Sequence, residues 1–275
     1  MAALPARGAQ SKSQFWPHST KEADEEQHSS TTRIGLRMKN QSDWMRPPTD
    51  LRLQNDEVHV WRSTLDLPTE SVEYFAKLLS SDEQIRADRF RFAQHRQRFI
   101  VGRGILRSLL GRYLQIKPDQ VQFIYSEKGK PFLKDQPLQF NVAHSRGLAL
   151  YAIALDHPVG VDLEQIRAIA DLDSLTQRFF TPKEHVAIAA LPVNQQPQAF
   201  FRHWACKEAY LKATGDGLAK LQELEIFLDL NQAYLTKIPQ GNIEDWTLRE
   251  LAPAEDSVGA LITSSQHHNL TCWQL

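Results

Sequence analysis

Apolar and polar positions along the chain follow two periods, one of strands and one of helices. Val58-His59-Val60-Trp61-Arg62 alternates and predicts a strand, followed by a short helix from Ser71 to Leu79. A second helix opens near Ser81-Asp82-Glu83. From Arg86 to Arg112, Phe90, Phe92, Phe99, Ile100, Ile105, Leu106, Leu109 and Leu110 fall at helical spacing between arginines. This stretch is expected to be an amphipathic helical region with an arginine-rich, solvated side. Gln122 to Tyr125 reads as a strand and Ser126-Glu127-Lys128-Gly129-Lys130-Pro131 as a turn, where Gly129 permits the bend and Pro131 bars a helix. Phe140 to Ser145 leads through Arg146-Gly147 into the apolar run Leu148 to Leu155, the pattern of a buried strand. Val159 to Glu164 alternates again. A helical pattern then runs from Leu172 to Phe180, breaks at Thr181-Pro182 and resumes, with Thr181 as N-cap and Glu184 three residues on, as in a capping box. Phe201 to Lys212, with no Gly or Pro, predicts a helix that Gly215 and Gly217 close. Short strands are expected at Leu224 to Leu228, Trp246 to Leu251, Val258 to Thr263 and Leu270 to Gln274. The mixture is α+β, and no internal repeat is legible residue by residue. Residues 1–50, rich in Ser, Gln, Thr, Pro and charge without a period, read as a disordered or loosely attached extension.

Composition narrows the setting. A chain of 275 residues with 41% hydrophobic residues can bury one large core or two of roughly 100 residues each. No apolar run approaches the roughly 18 residues of a membrane span, and no basic-then-apolar signal opens the chain. A transit peptide would avoid the acids of Glu22 to Glu26. Cys206 and Cys272 make neither a metal-ligand cluster nor a disulfide framework, so a reducing cytoplasm is expected. The net charge of −1 argues against a nucleic-acid partner.

The candidate chemistry starts at Asp162 and Glu164, which share one face of a strand while Val161 and Leu163 share the other. Two carboxylates on one face of an apolar strand repel unless they are solvated or hold a cation. Mg²⁺ would suit them, with Glu208 a plausible third acid. Glu208 and Lys212 lie four apart on the predicted helix, one turn after Trp204. The plain reading of that spacing is an exposed ion pair beside a core tryptophan. Most arginines of the 86–112 stretch belong to a solvated face, but a few could clamp phosphates bidentately, with Arg86 and Arg98 the first choices. His144 would ordinarily be structural. It draws notice because a basic turn and an acidic strand flank it.

Gly160-Val161-Asp162-Leu163-Glu164, Phe179-Phe180-Thr181-Pro182-Lys183-Glu184 and Trp204-Ala205-Cys206-Lys207-Glu208-Ala209-Tyr210-Leu211-Lys212 together resemble the signature of the 4′-phosphopantetheinyl transferases. Glu127-Lys128-Gly129-Lys130-Pro131 and Asn141-Val142-Ala143-His144-Ser145 resemble upstream motifs of the longer, surfactin-synthetase-activating class. The resemblance runs from about Val58 to Thr263. It implies a monomer of two similar α/β halves, residues 51–157 and 158–275, related by a pseudo-twofold, with coenzyme A and Mg²⁺ in the cleft between them. It further implies transfer of the phosphopantetheine arm to a serine of an apo acyl or peptidyl carrier protein, with release of 3′,5′-ADP. By position, Asp162, Glu164 and Glu208 match the metal carboxylates, and Lys212 the lysine near the pyrophosphate. Arg86, Lys130 and His144 fall at or near nucleotide- and phosphate-holding positions, while Glu184 matches an acid that would help activate the serine. Ala143 departs from the pattern, where serine is usual. Two other classes fit some of the same residues: a Mg-dependent phosphohydrolase or nucleotidyl enzyme, and a nucleic-acid module using the arginines.

Overall fold

The alternation at residues 58–62 becomes β1 (Glu57–Thr64), the first strand of a unit that continues through α1 (Thr69–Ala76), α2 (Ser81–Asp88), α3 (Ala93–Leu114), the hairpin β2 (Phe123–Tyr125) and β3 (Pro131–Leu133), then β4 (Leu138–Ser145) and β5 (Leu148–Leu155). The same order of elements then recurs. β6 (Val159–Gln165) is followed by α4 (Leu172–Phe179), α5 (Pro182–Ala189), α6 (Gln196–Thr214), the hairpin β7 (Glu225–Leu228) and β8 (Ala233–Lys237), then β9 (Thr247–Leu251) and β10 (Ser257–Thr263). The computed structural model describes residues 43–264 and 269–275. Residues 1–42 of the expected extension lie outside the described part.

Both sheets are built alike. β5 lies between β1 and β4 in one, and β10 between β6 and β9 in the other, all antiparallel. Strand alternation gives each sheet two apolar faces. Val58, Val60, Leu150, Ala152 and Ala154 of the first meet Val161, Leu163, Leu251 and Leu261 of the second in a dry central layer. On the outer face of the first sheet, Trp61, Tyr151, Ile153 and Phe140 pack with Ile100, Ile105, Leu109 and Leu110 of α3. On the outer face of the second, α6 covers Val258, Ala260 and Ile262. The layers therefore run helix, sheet, sheet, helix, an α+β architecture.

Four features differ from expectation. The 86–112 stretch is two helices, broken between Asp88 and Ala93, with Arg96 reaching back across the break to Asp88 at 2.9 Å. Arg107 is not on a solvated side but buried, 2% exposed. The last strand, β11 (Asn269–Gln274), leaves the second half and pairs in parallel with β1, from Glu57 opposite Asn269 to Arg62 opposite Gln274. Residues 44–50 also hold to the fold rather than trailing. Met45 bridges to Trp273, Trp44 donates its indole N–H to the carbonyl of Ala252 at 3.0 Å, and Arg112 donates to the carbonyl of Pro48.

Candidate active site

On β6 the residues facing α6 are Gly160, Asp162 and Glu164, and strand and helix come together closely because Gly160 has no side chain. A Cβ there would overlap the backbone of Ala209 and Ala213 on α6. This approach sinks the acids: Asp162 is 0%, Glu164 4% and Glu208 4% exposed. Burying an ionised carboxylate is costly unless a cation or hydrogen bonds compensate it. Lys212, on the last turn of α6, supplies the cation for Asp162, donating from Nζ to Oδ1 at 2.7 Å and to the carbonyl of Val161 at 3.1 Å. The lysine thus reaches across to the strand, beyond the surface pairing that its spacing from Glu208 suggested. Its side chain is a quarter exposed, so the ammonium sits at the mouth of the seam. Glu164 accepts from the Ser145 hydroxyl at 3.5 Å and has the Arg167 guanidinium nearby.

The first half closes on this seam through its β2–β3 turn. Lys130 Nζ donates to the carbonyls of Lys212 at 2.5 Å and Ala213 at 3.2 Å, and Lys128 Nζ to those of Gly215 and Asp216 at 2.9 and 2.8 Å. The two lysines cap the C-terminal end of α6, where orphan carbonyls and the negative end of the helix dipole favour cations. Burial, and then the neighbouring Lys212 charge, pull the Lys130 pKa below its ordinary value. His144 is exposed at the end of β4, next to Ser145. Arg98 forks onto Asp66, both bonds 2.7 Å, and lies against Gly147 in the β4–β5 turn. Arg86 is exposed over the Phe99 ring at 5.3 Å.

Glu184 stands apart from this group. It is 2% exposed and accepts from the backbone N–H of Thr181 at 2.8 Å and of Ile226 at 2.7 Å, and pairs with Lys207 Nζ at 2.6 Å. Lys207, fully buried, also donates to the carbonyls of Leu221 and Leu224. The expected serine-activating acid is thus a strut between α5, α6 and the segment beyond. An identical device stands in the first half. Glu83 closes a capping box on Ser80, pairs with Arg107 at 2.6 Å, and Arg107 donates to the carbonyls of Pro118 and Val121. Five residues past each strut base, Lys212 meets Asp162 while Arg112 lies 5.7 Å over the ring of Trp61. Ser108 follows Arg107 where Glu208 follows Lys207. The first half therefore repeats the frame without the acids. Sequence reading missed the repeat, although a trace of it was present: Ser80 to Glu83 and Thr181 to Glu184 share the capping-box spacing, each with a base 23 or 24 residues later.

Among the described residues no three His, Cys, Asp or Glu side chains converge to enclose a metal. Magnesium commonly takes one or two carboxylates and completes its shell with water and substrate phosphate. Asp162, Glu164 and Glu208 are hard oxygen donors of that kind, and one of them already holds a cation, so the donor set fits. A cavity of about 730 Å³ between α5, α6 and β7 lies on the strut side, lined by Glu184, His203 and Ile226.

The site thus joins three buried acids, one of them met by an ammonium, to a basic turn of the first half. The match to known proteins makes the class specific. Residues 158–262 match the 4′-phosphopantetheinyl transferase superfamily and residues 61–154 the N-terminal region of a 4′-phosphopantetheinyl transferase. The 4′-phosphopantetheinyl transferase HetI of Nostoc sp. is 48% identical over 80% of this chain and 93% of its own. The 4′-phosphopantetheinyl transferase Sfp of Bacillus subtilis is 29% identical over 56% and 67%, and the L-aminoadipate-semialdehyde dehydrogenase-phosphopantetheinyl transferase of Xenopus laevis 30% over 70% and 67%. The chain belongs to the 4′-phosphopantetheinyl transferase superfamily. It is a transferase.

Proposed function

We propose that the chain transfers the phosphopantetheine arm of coenzyme A to a serine of an apo acyl or peptidyl carrier protein, as a cytoplasmic monomer, in the cleft between two pseudo-twofold halves. The observation that carries this reading is the Lys212 ammonium 2.7 Å from buried Asp162, with Lys130 of the other half backing the same turn of α6. The serine oxygen attacks the phosphorus that bears the pantetheine arm, and the bond from that phosphorus to the bridging oxygen breaks. The departing 3′,5′-ADP keeps the electron pair, and the serine loses its proton. Such a transfer needs positioning and charge neutralisation more than covalent help from the protein. Lys212 neutralises charge growing on the leaving phosphate, while Lys130, His144 and Arg98 orient the nucleotide and phosphates. Asp162, Glu164 and Glu208 would hold Mg²⁺, which when bound supplies Lewis-acid polarisation of the diphosphate. Glu184 has its oxygens engaged by three donors, so the serine proton passes to solvent water at the mouth of the site.

The test is incubation with coenzyme A, Mg²⁺ and a panel of apo carriers, reading intact masses. Addition of one phosphopantetheine mass per carrier is expected. Phosphate release from coenzyme A without any carrier, and no mass gain, would favour a phosphohydrolase. Asp162→Ala and Glu208→Ala are each expected to lose roughly 100-fold or more in rate, with the fold retained by circular dichroism.

A further inference from the structure

Cations already stand at the acids and at the adjoining end of α6. Lys212 lies on Asp162 and Arg167 beside Glu164, while Lys130 holds the Lys212 carbonyl from the opposite half. A divalent ion entering alone would compete with an ammonium already 2.7 Å from Asp162 Oδ1. A diphosphate entering with it would offer Lys212 a new partner and so free Asp162 for the ion. Lys212 can move, since its side chain is a quarter exposed while Asp162 is fully buried on the side of β6 that faces α6.

We propose that Lys212 is the internal counter-cation of the metal site: it occupies Asp162 until the coenzyme's phosphates draw it off, so that metal and coenzyme bind together and metal alone binds weakly. This rests on the metal and coenzyme reading above. One ammonium then serves two anions in turn, the carboxylate in the free enzyme and the diphosphate in the loaded one. Coupling of this kind is reciprocal, so the metal must raise coenzyme affinity by the factor by which the coenzyme raises that of the metal. Lys212 is here a positioning residue toward the metal, whatever it does later toward the leaving group.

The experiment measures Mn²⁺ binding by the full chain through loss of the free-ion electron paramagnetic signal, with and without coenzyme A, alongside melting temperatures. For the wild type, coenzyme A is expected to tighten Mn²⁺ by roughly tenfold or more, a coupling of ordinary size. Lys212→Ala, lacking the competing charge, is expected to bind Mn²⁺ more tightly than wild type in the absence of coenzyme, with coenzyme adding little. Its melting temperature should be lower than wild type without metal and rise more when Mn²⁺ is added, since the ion replaces the missing cation. If Lys212→Ala fails to fold, Lys212→Gln keeps a donor for Asp162 and Val161 without the charge, and the same order is expected. Equal metal affinity of wild type and the folded Lys212 variant without coenzyme overturns the counter-cation while leaving the metal reading standing. Asp162→Asn binding Mn²⁺ as well as wild type, or no uptake by any form with coenzyme present, overturns the metal reading and this proposal with it.

Discussion

A fully buried ammonium such as that of Lys207 persists only where acceptors converge on it, and here a carboxylate and two carbonyls do. Burial pulls its pKa down and Glu184 pulls it back up. Glu184→Gln would leave that charge without its carboxylate, so a stability loss of about 3 kcal/mol is expected, within the range for breaking one partner of a buried pair. Glu83→Gln should cost a similar amount through Arg107, in a half that carries no acids at the seam. Comparing melting temperatures and kcat for the two variants decides the role of Glu184. A full loss of kcat in Glu184→Gln at unchanged melting temperature would restore it as the base. Two histidines make stability pH-dependent. Burial lowers His59 and His203 from 6.5 to about 4. The unfolded chain takes up these protons as pH falls through 6.5, while the folded chain refuses them until about 4. Their contribution is therefore complete above pH 6.5 and drains away between 6.5 and 4, by up to about 3 kcal/mol for each histidine. Denaturant midpoints at pH 7, 5.5 and 4.5 should show the decline, and His203→Gln should flatten it. An equal slope in the variant would mean that His203 takes no part.

At the scale of elements, the acids reach their positions because β6 and α6 lie as close as a glycine allows. Gly160→Ala places a methyl group against the backbone of Ala209 and Ala213, which cannot rotate away as a side chain could. Overpacking of this kind costs about 1–3 kcal/mol or more, and any shift of α6 moves Glu208 and Lys212 together away from Asp162. The expected result is a lower melting temperature with a kcat loss larger than the stability loss explains. Activity equal to wild type would show that the close approach is dispensable. Strand β6 was legible because branched apolar residues alternate with acids along it, and helix α6 because no Gly or Pro interrupts its run, although both elements are buried on more than one side. That Asp162 and Glu164 share a face followed from alternation alone. The partner of Lys212 did not, since an i,i+4 spacing reports neighbours on one helix and says nothing of a strand packed beneath it. Arg107 was read with a solvated face and the burial of Lys207 went unread for the same reason: their acceptors come from α2, α5 and the segments after the long helices, and converge only in three dimensions. The end-capping by Lys128 and Lys130 was invisible in the same way, although the turn that presents them was plain.

Across the whole molecule, the boundary between halves is crossed once by the chain's own end. β11 was legible as a strand but not as a member of the first sheet, because parallel pairing with a strand some 200 residues earlier leaves no local signature. It covers the edge of β1, and its Trp273 packs 6.1 Å from Trp61 and 5.7 Å from His59 on the face that meets α3. Residues 44–50 then run alongside, with the Met45 N–H donating to Cys272 and its carbonyl accepting from Gln274. Residues 44–50 and β11 thus finish the first sheet together, with Trp44 reaching the second half at Ala252. Ending the chain at Ser264 would strip the β1 edge of its ladder and expose Trp61 and His59, so the first half should lose its cooperative unfolding transition. The second half keeps its own core of α6 on β10. Removing residues 1–40 should leave the melting temperature within about a degree, as a polar segment without a period buries little, whereas removing 1–50 should lower it by several degrees. Calorimetry of the three truncations separates these outcomes. A wild-type transition in the chain ending at Ser264 would mean that β11 adds nothing to the first sheet, and the seam between the halves would then depend on the β2–β3 turn and the central layer alone.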